Sequence, residues 1–149
     1  LEYVKKRIET VAKQIAEESG TEFEYSIGTM IELPRAAVLA DKIAESAEFF
    51  SFGTNDLTQS TFGMSRDDAA AYLPEYERKG IIKRDPFVSL DLDGVGELMR
   101  IATQKGRSAK STLKISVADN LTFPLAKHQW WRIFNERIQK HGSFLVQKY

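Results

Sequence analysis

The sequence predicts an α/β fold in which parallel strands alternate with helices. Three observations predict it. Two buried apolar runs, residues 23–33 and 49–53, each end in polar residues; a helical stretch of crossover length joins them; and the alternation continues to a third apolar run at residues 113–117. A crossover of that length between buried strands implies a parallel pair with a right-handed connection. The pattern suits a (β/α)8 barrel or an open doubly wound sheet. A complete barrel needs about 250 residues, and the chain has 149.

The elements follow in order. Val4, Ile8, Val11, Ile15 and Ala16 fall on one face of residues 2–19 with Lys and Glu opposite, which predicts an amphipathic helix that ends at Gly20 and packs on another element. In residues 23–33 the apolar Ile27, Met30, Ile31 and Leu33 read as a buried strand finishing near Glu32. Pro34 stands where a helix starts, and Ala36, Ala37, Leu39, Ala40, Ile43, Ala44 and Ala47 carry that helix to the next strand. Phe49, Phe50 and Phe52 have the aromatic density of a core strand, Ser51 is small enough to sit beside them, and Gly53 ends the run in a polar turn of Thr54, Asn55 and Asp56. Residues 65–68 read as a helix start, residues 69–79 as the helix, and Gly80 as its stop; Asp85-Pro86-Phe87 is a turn. Residues 94–106 contain a helix with Val95, Leu98, Met99, Ile101 and Ala102 inward. Past residue 117, Pro124 opens a helix in which Leu125, Trp130, Trp131, Ile133, Phe134 and Ile138 stand among basic residues. That helix either folds back over an open sheet edge or binds a partner.

Composition removes several function classes. Lys plus Arg and Asp plus Glu both number 21, so no charge excess points to nucleic acid or to an anionic membrane. The absence of cysteine excludes disulfides, thiolate metal sites and a cysteine nucleophile, and His128 and His141 are too far apart for a local zinc motif. No apolar run approaches membrane-spanning length and residues 1–9 lack a signal-peptide core, so the expected location is cytoplasmic.

The chemical argument rests on the predicted parallel pair. Glu32 ends the first strand and Asp56 lies just beyond the second, so parallel pairing brings both carboxylates to one edge of the sheet. Joined by Thr54 and Asn55, they offer the hard oxygens that Mg²⁺ requires. The other reading of the same residues pairs Glu32 with Arg35 on a solvated rim and makes Asp56 a cap for the next turn.

The stretches GTMIELPRAA, FFSFGTNDLTQ, TFGMSRDD, DPF, GVGELM and ATQKGR, in this order, closely resemble the PEP-utilising enzymes, and among them the C-terminal phosphoenolpyruvate/pyruvate-binding barrel of the pyruvate, phosphate dikinases. The resemblance covers residues 8–117. It implies a partial (β/α)8 TIM-barrel-like fragment with extra helices over residues 1–117, and leaves 118–149 as an unmatched tail. It further implies that Glu32 and Asp56 hold Mg²⁺, with Mn²⁺ as an alternative, that Gly53, Thr54 and Asn55 belong with them to the substrate-binding loop, and that the substrates are phosphoenolpyruvate and pyruvate. Where that family carries its acid/base cysteine this chain has Ala118, so no catalytic residue is expected. The family's earlier-strand arginines, swivelling phosphohistidine domain and ATP-binding domain fall outside this sequence.

Two function classes remain from the sequence. One is a phosphotransferase fragment of the dikinase type, with phosphoenolpyruvate synthase and phosphotransferase-system enzyme I as related alternatives, inactive on its own. The other is a non-catalytic interaction protein whose open edges associate with another copy or with a full-length dikinase.

Overall fold

The computed structural model describes residues 1–118 and the pair 144–145. The predicted tail helix beginning at Pro124 lies outside them. The first helix, α1 (Glu2–Ser19), stops where Gly20 turns into the left-handed region at φ 63°, as expected of a glycine that carries no Cβ penalty there. Its expected packing is only partly realised. Ala12 is buried, whereas Val4, Ile8, Val11 and Ile15 stay largely exposed, the last three along an open apolar groove shared with Phe23, Tyr25, Ile27 and Phe49. Among the described residues no further element lies over that stripe.

The strand expected over residues 23–33 shortens to β1 (Thr29–Ile31). The strand begins after Gly28, which lies too close to Phe49 to admit a Cβ, and upstream of it the Glu48 N–H still donates to the Ile27 carbonyl at 2.8 Å. The single helix expected after Pro34 is two: α2 (Pro34–Val38) and α3 (Ala40–Ala44). At the break the Lys105 ammonium donates to the Val38 carbonyl at 2.6 Å and stands 3.2 Å from Asp41, so a cation takes up a carbonyl at the end of α2. Lys105 holds the Asp41 carboxyl below its usual range.

Next, β2 (Phe49–Gly53) pairs with β1 in parallel, Ile31 opposite Phe52. Thr54, Asn55 and Asp56, expected in a turn, instead open helix α4 (Thr54–Phe62). The expected 69–79 helix is also divided, into α5 (Arg66–Ala69) and α6 (Leu73–Arg78), because Pro74 sets a new helix start; Gly80 follows at φ 69°. These short helices close on a small apolar cluster of Ala69, Leu73 and Phe87. The Asp91 carboxylate accepts from the backbone N–H of Gly94 and Val95 and so seats α7 (Val95–Ala109). Strand β3 (Lys114–Ala118) pairs in parallel with β2, and β4 (Phe144–Leu145) pairs in parallel with β3, giving the order β1-β2-β3-β4.

Alternation along the strands divides the sheet into two unlike faces. Ile31, Phe50, Phe52, Ile115 and Val117 are buried with Ala37, Ala40, Ala44, Val95, Met99 and Ala102 of the helices. Each large side chain so withdrawn is worth roughly 1.5–3 kcal/mol. The small alanines let α2 and α3 lie close to α7, and Gly106 does the same for α7 on the sheet. A Cβ on Gly106 would stand 2.6 Å from Leu113 Cδ2 and 2.7 Å from Phe50 Cε2, both of which are buried.

Gly106→Ala is therefore expected to destabilise the chain. Helix propensity favours alanine by about 1 kcal/mol, but overpacking costs about 1–3 kcal/mol, so urea denaturation should show a net loss of up to about 2 kcal/mol. Raised stability would mean that α7 is not seated on the sheet at this point.

Candidate functional site

Glu32 follows directly on β1, and the pairing of Ile31 with Phe52 sets it level with Gly53, the last residue of β2. The contact is close: a Cβ on Gly53 would lie 2.9 Å from Glu32 Oε2. Glycine at this position leaves room for the carboxylate beside the strand–helix junction. Gly53 is also the N-cap of α4, and no side chain caps that helix. The Glu32 carboxylate thus sits near N–H groups and a helix dipole that favour negative charge.

Asp56 occupies the first turn of the same helix. It shares with Glu32 a cleft of about 440 Å³, whose wall continues through Leu33, Gln59, Ser60, Gly63, Met64 and Ser65. Asp56 Oδ1 accepts from the Gln59 side-chain amide at 3.1 Å, and the Ser60 hydroxyl donates to the Asp56 carbonyl at 2.6 Å. Among the described residues no ion pair joins Glu32 to Arg35, and Asp56 lies within α4 rather than capping a later turn.

The other expected site residues are placed differently. Thr54 is 1 % exposed, and its hydroxyl has no hydrogen-bond partner among the described residues. Neither Thr54 nor Asn55 lines the cleft with the two carboxylates. Ala118, the last residue of β3, is in register with Gly53. The ends of three adjacent strands therefore present Glu32, Gly53 and Ala118 along one edge. Met30, Ser51, Gly53, Ser116 and Ala118 alternate with the helix-covered residues and form the opposite face, where Met30 is 42 % exposed.

Residues 1–118 match the family described as PEP-utilising enzyme, PEP-binding domain. The chain belongs to this family. Among its relatives, the pyruvate, phosphate dikinase of Rhizobium meliloti (strain 1021) is 65 % identical over 117 residues, which is 78 % of this chain and 13 % of that protein. The Giardia intestinalis pyruvate, phosphate dikinase is 55 % identical over 117 residues, again 78 % of this chain and 13 % of the relative. A chloroplastic pyruvate, phosphate dikinase of Mesembryanthemum crystallinum is 57 % identical over 110 residues, 74 % of the chain and 12 % of that protein. The chain thus spans about 13 % of the length of the first two relatives. The resemblance drawn from the GTND and SRDD stretches is borne out at the level of the PEP-utilising family and of similarity to its dikinases.

The cleft residues that sequence reasoning missed are Leu33, Gln59, Ser60, Gly63, Met64 and Ser65. The signal for Gln59 was present, since it stands three residues beyond Asp56 and such a pair meets on a helix surface; reading residues 54–56 as a turn concealed it. Among the described residues no third His, Cys, Asp or Glu joins the carboxylates in a metal-binding cluster, and no helix is long and apolar enough to cross a membrane.

Thr54→Val tests the placement of the buried hydroxyl. Exchanging an unpartnered buried hydroxyl for a methyl group removes a desolvation cost of about 1 kcal/mol, so unfolding free energy should stay level or rise by up to about that amount. A loss of about 1 kcal/mol or more would show that the hydroxyl does have a partner.

Proposed function

We propose that this chain supplies part of the phosphoenolpyruvate/pyruvate site of a pyruvate, phosphate dikinase. That phosphotransferase interconverts ATP, pyruvate and phosphate with AMP, phosphoenolpyruvate and diphosphate. The observation that carries the reading is the shared cleft of Glu32 and Asp56 at the carboxyl edge of parallel strands, in a chain closely similar to proteins of that name. The two-faced sheet supports its placement as a portion of a (β/α)8 barrel. Helices α2, α3 and α7 cover one face, while Ser51, Gly53, Ser116 and Ala118 stand with Met30 and Phe49 on the other.

The donor chemistry of the cleft fits a hard divalent cation, Mg²⁺ or Mn²⁺. Glu32 and Asp56 both provide carboxylate oxygens, and Mg²⁺ is commonly held by one or two carboxylates together with water and substrate oxygens. Such an ion would supply Lewis-acid polarisation to the substrate's enol oxygen. The chain's own contribution is to bind and orient. Gly53 gives the Glu32 carboxylate room, and the uncapped start of α4 offers N–H donors to an anionic substrate. Ala118 can neither hold nor return a proton at the substrate's methyl carbon, because its side chain is a methyl group.

Mn²⁺ titration checks the carboxylate pair. The chain should bind the ion weakly, and Asp56→Ala and Glu32→Ala should each lower the affinity about ten-fold or more; affinities equal to the parent's would remove the assignment. Solvent deuterium checks the proton-transfer claim. With Mg²⁺ present, this chain should exchange the pyruvate methyl protons no faster than the metal alone, since positioned acid–base help is worth about 10²–10⁴-fold. Exchange well above that control, abolished by Asp56→Ala, would show that Ala118 does not leave the site silent.

A further inference from the structure

Gln59 uses its hydrogen-bonding groups in three directions at once. Its Oε1 accepts the backbone N–H of Arg66 at 2.8 Å, its Nε2 donates to Asp56 Oδ1 at 3.1 Å, and its own carbonyl accepts the N–H of Met64 at 3.0 Å. The two ends of an amide are not equivalent. A backbone N–H only donates, so the Arg66 contact compels Oε1 to face α5 and leaves the NH₂ group for the carboxylate. The return of the chain that makes this possible is the left-handed turn at Gly63, φ 63°, which brings residues 63–65 back along the cleft wall.

We propose that Gln59 is a positioning residue of the cleft. It couples the orientation of the Asp56 carboxylate to the placement of residues 63–66, so that cation binding at Glu32 and Asp56 depends on a backbone N–H of Arg66. The inference rests on the reading of those carboxylates as a cation site and extends it to the segment that lies over them. Partners of metal-ligating side chains act in this way by fixing ligand orientation, and their loss typically costs 10–100-fold in affinity. The exposed setting of this hydrogen bond places Gln59 at the low end of that range.

The backbone itself offers a sharp test. Arg66 is the first residue of α5, a position that accepts proline, and Ser65 is already extended at φ −77°, ψ 133° as a residue before proline must be. Arg66→Pro removes the N–H that orients Gln59, whereas Arg66→Ala removes the side chain and keeps the N–H. With Mn²⁺ alone as the probe, Gln59→Leu and Arg66→Pro should each weaken binding about ten-fold, and Arg66→Ala should not. In an Asp56→Ala background Gln59→Leu should add no further loss, because Gln59 acts through Asp56. Without metal, the Gln59 side-chain amide resonance should shift in Asp56→Ala.

Several results would overturn the proposal. These are parent-like Mn²⁺ affinity in Gln59→Leu, an equal further loss in the Asp56→Ala background, or a loss in Arg66→Ala as large as in Arg66→Pro. Should Gln59→Leu not fold, the two Arg66 variants still decide the matter with Gln59 in place. Parent-like affinity in Asp56→Ala would overturn the cation reading and the proposal with it. That failure is told apart from a failure of positioning alone by the amide resonance, which reports the link from Gln59 to Asp56 without metal.

Discussion

Parallel pairing in a single register is the constraint from which the rest of the molecule follows. With Ile31 opposite Phe52 and Gly53 opposite Ala118, three strands finish within one residue of the same level. Whatever follows each strand must then emerge on the same edge of the sheet. Had β1 and β2 been antiparallel, Glu32 would stand at one end of the sheet and Asp56 at the other. Ladder hydrogen bonds and the packing of Phe50 and Phe52 hold this register, because a slip by one residue would turn both rings to the opposite face.

The second consequence is a sheet with two unlike faces. The helix-covered face is crowded with large apolar side chains and relies on small residues in the helices, alanine in α2 and α3 and Gly106 in α7, to bring the layers together. The other face mixes the small residues Ser51, Gly53, Ser116 and Ala118 with the larger Met30 and Phe49. Parallel sheets are normally covered on both sides, whereas the helices of the core cluster lie on one face of this sheet.

At the edge, electrostatics and sterics act together. A carboxylate beside the start of α4 is favoured by the helix dipole, worth typically 0.3–1 kcal/mol, and the missing side chain of Gly53 leaves room for Glu32. Asp56 lies in the first turn of the helix and is held from behind by Gln59, whose own orientation is set by the backbone at Arg66. The cleft is thus organised by main-chain geometry as much as by its charged residues.

Local composition by itself determined a good deal. Gly20 and Gly80 mark chain reversals because glycine alone enters the left-handed region without cost; Phe49–Gly53 declares itself a strand by aromatic density; the parallel relation follows from crossover length; and Glu32 and Asp56 stand out as carboxylates that parallel pairing must bring together. Only the tertiary structure decided where helices break, how far strands extend and which polar groups meet. The division at Leu39 lies beside an ammonium supplied from α7, 67 positions from the Val38 carbonyl that it meets, and β1 begins only at Thr29, although the Glu48 N–H still donates to the Ile27 carbonyl upstream of it. Thr54, which in sequence looks like a partner of Asp56, turns inward once residues 54–62 become helical, while Gln59 turns toward the carboxylate for the same reason. Helical periodicity assigns each side chain a direction, and that direction acquires a neighbour only when the other elements are in place.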